Sequence, residues 1–509
     1  MAKPHQEIFS TRSFFILAAI GSAVGLGNIW RFPYVAFKNG GGAFIIPYLV
    51  ALLAAGIPLL FFDYAIGHRY RGSAPLALRR LGRWTETLGW WQVMVCVMIA
   101  IYYAAVVAWA GMYTLFSINR AWGDDPKGFL FGEFLQVAEA PGVGLDFVPS
   151  LLIPMLLVWL VVLATIALGV NKGLALANLV FMPLLVVMFL ILVGQALFLP
   201  GAAEGLNALF TPDWGQLGNP GVWAAAFGQI FFSLSLGFGI MVTYASYLKR
   251  RTDLTGSGLV VGFSNCGFEL LAGIGVFAAL GFMAFQAGST VDEVAGQGLT
   301  LAFVAFPTII SQAPLGSLMG TLFFGSLTIA GITSMLSIVE VIVAAVRDKM
   351  NIPKAKATLV VGIPMATVSI GLLATTTGLY FLDITDEFVN KFGILAGAFS
   401  CIVAVAWIVR KLPTLRRHLD RFSSFPTGRF WLVMVGGVAP LVLGYMLVSD
   451  IIAKIQSPYE GYPLELLGAY GWGMSIGLVV VAVILAALPW RRGVATDFDE
   501  TDNEHEVTA

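Results

Sequence analysis

The sequence predicts an all-α integral membrane protein with twelve transmembrane helices, and three observations lead to this fold class. First, 58% of the 509 residues are hydrophobic and only 11% are charged, whereas a soluble protein carries roughly 25% charged residues. Second, the apolar residues occur in stretches of about 20, the length that crosses a bilayer. Third, Lys and Arg concentrate in alternate connecting segments, as they do in membrane proteins of fixed orientation.

Twelve apolar stretches are long enough to span a membrane. In chain order they are 14–38, 43–67, 88–117, 148–169, 173–198, 223–247, 258–287, 317–346, 357–375, 388–410, 429–449 and 467–489. The segment 292–316 is amphipathic and polar at its start, so we expect a re-entrant or surface helix on the outer face instead. Residues 1–490 are interpreted as one transmembrane transporter domain. The acidic tail, 491–509, is expected to be disordered.

The distribution of Lys and Arg predicts the orientation. With twelve spans both chain ends lie on the same side, and 23 of the 29 Lys and Arg residues belong to that side. By the positive-inside rule both termini are cytoplasmic. We therefore predict a multi-pass protein of the cell inner membrane, with the lipid bilayer as its first partner.

Composition also excludes several functions. The formal net charge is zero, which gives no indication of a nucleic-acid partner. Cys96, Cys266 and Cys401 lie in separate apolar segments and are interpreted as small buried hydrophobes. The four histidines lie outside the spans or at their ends, which disfavours a metalloprotease or a Ser–His hydrolase. We expect no enzyme and no organic cofactor.

The first span contains a break in an otherwise apolar stretch. Residues 21–34 read GSAVGLGNIWRFPY, with Gly25 and Gly27 around one leucine, Asn28 next and Pro33 further on. Glycine, asparagine and proline weaken a helix. A helix broken at membrane depth must satisfy its freed backbone groups with protein, water or a ligand. The pattern therefore favours a binding site at this break over simple helix packing.

A second break suggests an internal repeat. The sixth span contains SLSLGFG (233–239), at the same place in spans 6–10 as Gly25 and Gly27 in spans 1–5. Because each repeat has an odd number of spans, the second (223–410) is inverted relative to the first (14–198). Paired broken helices in inverted repeats indicate a binding site near the bilayer midplane. Two further helices follow in 429–489.

Three motifs carry a resemblance to a known family. GSAVGLGNIWRFPYVAFKNGGGAFIIPY (21–48), GQIFFSLSLGFG (228–239) and AGITS (330–334) resemble the signatures of the neurotransmitter:sodium symporter family. The resemblance covers about residues 10–411, and the last two spans match by position only. It implies the leucine-transporter fold, a 5+5 inverted repeat with helices 1 and 6 broken mid-membrane. It also implies sodium-coupled symport of an amino acid by alternating access.

The resemblance implies two sodium ions, held by backbone carbonyls at the breaks and by hydroxyl and amide oxygens. The first site would use Ala23, Asn28, Ser233 and Asn265. The second would use Gly21, Val24, Ala330, Thr333 and Ser334. Sodium is a hard cation that prefers oxygen, so this donor set is chemically reasonable. Taken alone, a helix hydroxyl such as that of Thr333 more often bonds back to its own helix, but the intact motif favours ligation.

The resemblance also implies a substrate pocket between the breaks. Its residues would be Ala23, Gly25, Leu26, Gly27, Ile99, Tyr103, Phe232, Ser233, Ser235, Phe238, Ser334 and Ile338. The N-terminus of a half-helix and the Tyr103 hydroxyl would hold a substrate carboxylate. Family members that carry monoamines have an aspartate where this chain has Gly25. The expected substrate is therefore a neutral, apolar L-amino acid; a β- or γ-amino acid is the alternative.

Glu269 is the most informative intramembrane charge, because a buried carboxylate is expensive unless it has a function or a partner. It follows Asn265 by one helical turn. Chloride-dependent members of the family have a serine at the matching position. The resemblance thus implies that Glu269 replaces chloride, with Tyr48, Gln229 and Ser233 as its neighbours, and that it picks up a proton on the return step. Asp63 and Glu340 are interpreted as structural.

Two gates are implied. The outer gate would be Arg31 with Asp386, closing over the pocket. The inner gate would use Ser246, Tyr247 and Asp348, but Gln6 and Phe9 stand where the family has Arg and Trp. Asp348 is then expected to pair with Arg12, with Lys3 or with nothing.

Two other functions use the same scaffold. A channel should show a continuous polar stripe or charged ring along several spans, whereas the polar residues here concentrate at one depth. A non-transporting sensor would be expected to carry a signalling domain, and none is evident. Sodium-coupled transport is the preferred interpretation.

Overall fold

The computed structural model describes residues 7–294 and 298–498. Ten helices in this part of the chain are long and apolar enough to cross a membrane. Numbered by predicted span, they are α2 (Gly42–Tyr70), α3 (Arg83–Asn119), α4 (Pro149–Ala167), α5 (Val170–Leu197), α7 (Leu254–Ala287), α8 (Gly316–Met350), α9 (Lys354–Leu373), α10 (Gly378–Ile408), α11 (Gly428–Gly461) and α12 (Leu464–Ala487).

The first and sixth predicted spans are each divided into two helices. The first consists of α1a (Arg12–Ala23) and α1b (Leu26–Lys38), which meet at an angle of 55°. The sixth consists of α6a (Pro220–Ser233) and α6b (Ile240–Ser246), separated by residues 234–239. The prediction of twelve spans with helices 1 and 6 broken is confirmed.

Some helices extend well beyond the predicted apolar stretches. α10 begins at Gly378 instead of 388, and its first turns carry Asp383 and Asp386. Both carboxylates accept hydrogen bonds from tyrosines, Asp383 from Tyr462 at 2.9 Å and Asp386 from Tyr102 at 2.7 Å. Hydropathy misses such turns because it counts a buried, hydrogen-bonded carboxylate as a water-exposed one.

α3 and α8 form the centre of the bundle and pack along each other. Their most apolar segments are 78% and 83% buried, whereas the corresponding parts of α11 and α12 are only 22% buried. Exposed leucine, isoleucine and valine side chains along the outer helices are what a lipid-facing surface requires. The two breaks face this centre, since both α1a and α6b contact α8.

The amphipathic segment predicted at 292–316 contains a short apolar helix, Gly298–Gln312. It is too short to cross a bilayer. Phe303 at its centre is fully buried and packs against Trp30, Trp109 and Tyr113. The segment therefore covers the end of the bundle near α1b, away from the chain ends.

The beginning of the acidic tail contacts the bundle, contrary to the expectation of disorder for 491–509. Arg80 donates to the carbonyl of Ala495 at 2.6 Å, and the Phe498 ring lies 4.7 Å from that of Tyr70. The hydrogen bond to the Ala495 carbonyl and the packing of Phe498 on Tyr70 hold these residues against the bundle. Their acidic composition alone would have placed them in solvent. Residues 499–509 lie outside the described part of the chain.

Candidate functional site

The break in helix 1 is short and is stabilised by its own side chains. Val24 donates its N–H to the Ile20 carbonyl and ends α1a with an extended backbone. Gly25 is also extended, and its N–H donates to Asn28 Oδ1 at 2.9 Å. Asn28 thus caps α1b from within the membrane, which satisfies a backbone donor that lipid would leave unpaired.

Asn28 also begins a chain of polar contacts to helices 6 and 7. Its Nδ2 donates to Asn265 Oδ1 at 2.8 Å, and Asn265 Nδ2 donates to Ser233 Oγ at 2.9 Å. All three side chains are at least 97% buried. The residues named for the first sodium site therefore meet at one place, with Ala23 just before the break. Their three oxygens suit a hard cation, provided that the two amides turn their oxygens toward it.

The residues named for the second sodium site join α8 to the end of α1a. Ser334 Oγ lies 3.5 Å from the Gly21 carbonyl. Thr333 Oγ1 bonds back to the Ala330 carbonyl at 3.0 Å. Val24 follows in the extended turn. The carbonyl and hydroxyl oxygens fit sodium as ligands, and the Thr333 hydroxyl can keep its back-bond while its lone pairs face an ion.

Asn178 of α5 was missed in the sequence. It is fully buried, its Nδ2 donates to the Leu174 carbonyl at 2.9 Å and its Oδ1 has no partner among the described residues. A Cβ added to Gly21 would lie 1.9 Å from that oxygen. An amide inside an otherwise apolar span is a signal that could have found it.

The space at the first break is defined by what an added side chain would meet. A Cβ on Gly25 would lie 2.9 Å from Ser334 Oγ and 3.5 Å from the Tyr103 hydroxyl. The Tyr103 hydroxyl also lies beside the backbone N–H of Leu26. A Cβ on Gly27 would lie 2.7 Å from the ring of Phe232. These groups pack closely around one small volume at Gly25 and Gly27, where hydroxyls, the Phe232 ring and a helix N-terminus converge and an added Cβ would force a neighbour to move.

The second break approaches the same volume. Ser235 Oγ donates to the Ser22 carbonyl at 3.0 Å, which ties the two breaks together. The other residues named for the pocket wall are nearly buried but keep a small exposed fraction, as side chains around an internal space do. They are Ile99 (5%), Phe238 (6%), Ile338 (6%), Ser235 (7%) and Ser334 (7%).

Glu269 of α7 is fully buried and accepts hydrogen bonds from two side chains. Gln229 Nε2 donates to Oε1 at 2.6 Å, and the Tyr48 hydroxyl donates to Oε2. Ser233 lies alongside. The carboxylate is thus connected through Ser233 to the Asn28–Asn265 chain, so a charge at Glu269 acts on any cation held there.

Arg31 and Asp386 stand on the side of the molecule covered by Gly298–Gln312. The Arg31 guanidinium lies 4.6 Å above the Phe232 ring. It makes no direct ion pair with Asp386 within the described residues, although the charge of Asp386 attracts it ahead of Glu387. Asp386 instead accepts from Tyr102. The water-mediated contact between Arg31 and Asp386 stays a prediction.

Arg12 is not the partner of Asp348, and Lys3, the other expected partner, lies outside the described residues. Asp348 accepts from the neighbouring Arg347 at 2.9 Å and from the Ser73 N–H at 2.8 Å. Arg12 instead pairs with Asp253 at 3.1 Å, at the start of α7. A helix N-terminus attracts the carboxylate and brings it within reach of Arg12, so Arg12 is committed elsewhere.

Helix α6b ends at Ser246, and Tyr247 follows as its C-cap. The Tyr247 hydroxyl donates to Glu340 at 2.8 Å, and Glu340 also pairs with Lys354 at 2.9 Å. Ser246 Oγ donates to the Thr243 carbonyl at 2.6 Å. The structural role expected for Glu340 therefore involves α6b.

Phe9 occupies a closed aromatic environment. Its N–H donates to the Tyr247 carbonyl at 2.9 Å, and its ring packs edge-on against Phe15, Tyr244 and Tyr247. This apolar contact holds the segment before α1a against α6b. Gln6 and Lys3 lie outside the described residues.

Two broken helices that face each other across a central scaffold, with convergent oxygens at the breaks, define a membrane transporter of the secondary-active class. The model of the Sodium:neurotransmitter symporter family matches residues 6–130 and 124–492. The chain belongs to the sodium:neurotransmitter symporter family. Because this is a family of transporters, the expectation that the protein is not an enzyme is confirmed.

Individual relatives agree with this assignment. An uncharacterized sodium-dependent transporter of Methanocaldococcus jannaschii is 40% identical over 467 residues, covering 91% of this chain and 94% of the relative. A sodium- and chloride-dependent glycine transporter 2 of Xenopus laevis is 27% identical over 547 residues, covering 94% of this chain and 68% of the relative. The crystal structure of MhsT in complex with L-phenylalanine superposes with a TM-score of 0.73 at 30% identity, covering 87% of this chain and 99% of MhsT.

Proposed function

We propose that the protein is a sodium-coupled symporter that imports a neutral, apolar L-amino acid by alternating access. The protein would lie in the cell inner membrane, with both termini on the cytoplasmic side. The observation that carries the proposal is the meeting of the two breaks, where Asn28, Ser233 and Asn265 bring their oxygens together and Ser235 bonds to the Ser22 carbonyl.

The substrate class follows from the charges missing at this site. Gly25 supplies no carboxylate for a free amine, so the substrate must bring its own. The carboxylate would be held by the N-terminus of α1b at Leu26 and by Tyr103. The ammonium would be held by carbonyls of the breaks. The bound L-phenylalanine of MhsT supports an apolar α-amino acid; a β- or γ-amino acid is the alternative.

Two sodium ions would be transported with the amino acid. One would bind among Ala23, Asn28, Ser233 and Asn265, next to the substrate carboxylate. The other would bind among Gly21, Val24, Ala330, Thr333 and Ser334, between α1a and α8. Because α1a contributes to both, the ions would hold this helix against the scaffold until they leave on the inside.

We also propose that transport is independent of chloride, since Glu269 would supply a fixed negative charge beside the first ion. After sodium leaves, the buried carboxylate would bind a proton for the return step, which makes proton antiport part of the cycle. Glu269→Ser should therefore create chloride dependence that the parent lacks. Uptake by Glu269→Ser that stays fully active without chloride would contradict this role.

The direct test is flux into proteoliposomes. An inward sodium gradient should drive saturable uptake of a labelled apolar amino acid such as L-phenylalanine, and a panel of unlabelled amino acids should define the substrate by competition. Gly267→Ala is a matched control, since a Cβ on Gly267 meets nothing within 4 Å.

The alternatives give different results in the same assay. A channel on this scaffold would conduct without saturation, and a sensor would bind the amino acid without accumulating it. If only β- or γ-amino acids compete effectively, the substrate is one of these instead of an α-amino acid.

A further inference from the structure

Asp63 of α2 is a buried carboxylate that no described residue satisfies. It is 7% exposed, and it makes neither an ion pair nor a hydrogen bond with any of the described residues. This differs from the packing contact expected in the sequence. An isolated ionised carboxylate in apolar surroundings is so costly that the group takes up a proton instead.

A second unsatisfied group lies against the same small cavity. Gln92 of α3 is 3% exposed, and its Oε1 has no partner among the described residues. Asp63 and Gln92 both line a cavity of about 10 Å³, the space of about one water molecule. An ionised Asp63 would be a second acceptor in the same cavity, whereas Gln92 Oε1, as the amide is oriented, lacks a donor. A carboxylic acid supplies one, because it carries an O–H.

The rest of the cavity does not suit a metal ion. Apart from Asp63, Gln92 and Cys401, the side chains around it are apolar, from Leu59 to Ile402. The three side-chain oxygens of Asp63 and Gln92 are fewer than a hard cation takes. The titratable groups that Asp63 influences are Tyr64 of its own helix and Cys401 of α10, and neither carries a charge at neutral pH. Burial thus acts on Asp63 without a compensating cation.

The cavity lies directly behind the break in helix 6. Leu236 and Gly237 line it together with Ala398 of α10, and a Cβ on Gly237 would lie 2.9 Å from that of Ala398. A Cβ added to Gly239 would lie 3.0 Å from Gln92 Oε1. Any movement of residues 234–239 therefore changes the walls around Asp63.

We propose that Asp63 is a proton-binding site, a neutral carboxylic acid that donates its O–H to Gln92 Oε1 behind the break of helix 6. When residues 234–239 shift and water enters, the O–H bond breaks, the proton passes to water and the carboxylate remains. This second part rests on the proposed transport cycle. It gives proton coupling a site separate from Glu269.

Infrared spectroscopy of the purified full-length chain at neutral pH tests the bound proton without requiring transport. In saturating sodium, where Glu269 is ionised in the proposed cycle, the parent should show the C=O stretch of a protonated carboxylic acid that is absent in Asp63→Asn and persists in Glu269→Gln. An ordinary aspartate, with a pKa of about 3.9, shows no such band at that pH. A spectrum that Asp63→Asn leaves unchanged overturns the proposal.

Thermal unfolding gives a second measurement. Asn is neutral and keeps a donor for Gln92, so Asp63→Asn should shift the unfolding temperature by less than about 2 °C. Glu86→Gln is the contrast, because Glu86 is equally buried but accepts from Arg79 and Lys349, and it should unfold at a clearly lower temperature. Equal losses in both variants would mean that Asp63 is charged.

Vesicles containing a pH-sensitive dye test the coupling. Asp63→Asn should retain uptake and move fewer protons per amino acid than the parent. If the infrared band is assigned to Asp63 but proton movement is unchanged, the coupling is overturned and the bound proton stands. If the parent transports no amino acid, the proposed function fails while the infrared result is unaffected.

Discussion

The first and sixth helices solve the same backbone problem in different ways. The break in helix 1 spans only Val24 and Gly25, both with negative φ, and Asn28 caps the next half-helix. The break in helix 6 spans residues 234–239 and uses positive φ at Ser235, Gly237 and Gly239. Glycine in helix 1 therefore leaves room for the neighbouring side chains of Ser334 and Phe232. Glycine in helix 6 instead permits a backbone with positive φ.

This difference assigns separate tasks to the two breaks. The short break holds a fixed geometry, in which a side chain and a helix N-terminus can position a ligand. The long break has more backbone degrees of freedom and lies over the Asp63 cavity, so we expect it to move further during a cycle. Substitutions at the two sites should consequently affect different measurements.

The largest effect is expected for Gly239→Ala, which should lower the free energy of unfolding. Its φ of 72° costs an L-residue roughly 1–2 kcal/mol. The added Cβ would also lie 2.8 Å from that of Ala74, and overpacking of this kind costs about 1–3 kcal/mol. Chemical unfolding in detergent should show a loss of about 3 kcal/mol in total. If Gly239→Ala is as stable as Gly267→Ala, the positive φ at Gly239 does not require glycine.

Gly25→Ala should do the reverse and affect binding more than stability. Its φ of −125° suits any residue, and the Cβ meets the hydroxyl of Ser334, which can rotate. We expect a change in unfolding free energy below about 1 kcal/mol and a loss of about tenfold in amino-acid affinity, equivalent to about 1.4 kcal/mol. Equilibrium binding to the purified protein measures the second quantity. Unchanged affinity would place the substrate elsewhere.

Ser235 tests the connection between the breaks. Ser235→Ala removes the hydrogen bond to the Ser22 carbonyl and keeps the positive φ of 53°, so it should cost about 1 kcal/mol. Ser235→Gly loses the same bond but relieves the backbone, and its net cost should be close to zero. If both variants lose the same stability, backbone strain at Ser235 contributes nothing.

The smallest expected effect is the pH dependence of two contacts that anchor α6b and α1a. Both contacts lie on the side of the molecule where the chain begins and ends. The loop after α6b is held by His68, which contacts His418 at 2.9 Å and the Lys249 carbonyl at 3.1 Å. Burial, followed by the charges of surrounding arginines, holds the pKa of His418 well below its usual range. Because the folded state disfavours the proton, this contribution is complete above the unfolded pKa of about 6.5 and is lost as the pH falls below it.

The anchor of α1a should respond at lower pH. Burial raises the pKa of Asp253, but hydrogen bonds from Ser424 and Gly256 and the charge of Arg12 outweigh it, so the pKa is lowered. This contribution is present above the unfolded pKa of about 3.9 and is lost as the pH falls below it. On acidification from neutral pH, hydrogen exchange should therefore rise first after α6b and later at the start of α1a.

His418→Gln is the control for this order, because Gln is always neutral and keeps an N–H donor for His68. It should abolish the earlier increase in exchange and leave the later one. Simultaneous increases at both places in the parent would contradict the two separate anchors.

The fold was largely predictable, because its signals are local. Apolar stretches gave the spans, and Gly25 and Asn28 located the first break, whereas Pro33 lies inside α1b. The candidate site was predictable through its motifs, and the structure brings Asn28, Ser233 and Asn265 together. The partners of Asp348 were not all predictable, since the Ser73 N–H comes from 275 residues away in the sequence and Arg12 pairs with Asp253 instead.

By itself, the sequence determined which segments enter the bilayer and where two of them stop being helical, because transfer free energy and backbone preferences belong to individual residues. Only the tertiary structure decided which polar groups find partners. Among the described residues it left the Asp63 carboxylate, Gln92 Oε1 and Asn178 Oδ1 without one. It also docked the tail at Arg80 and Tyr70 and tied Ser235 to Ser22. These outcomes depend on how neighbouring helices pack, and packing is a property of the whole chain.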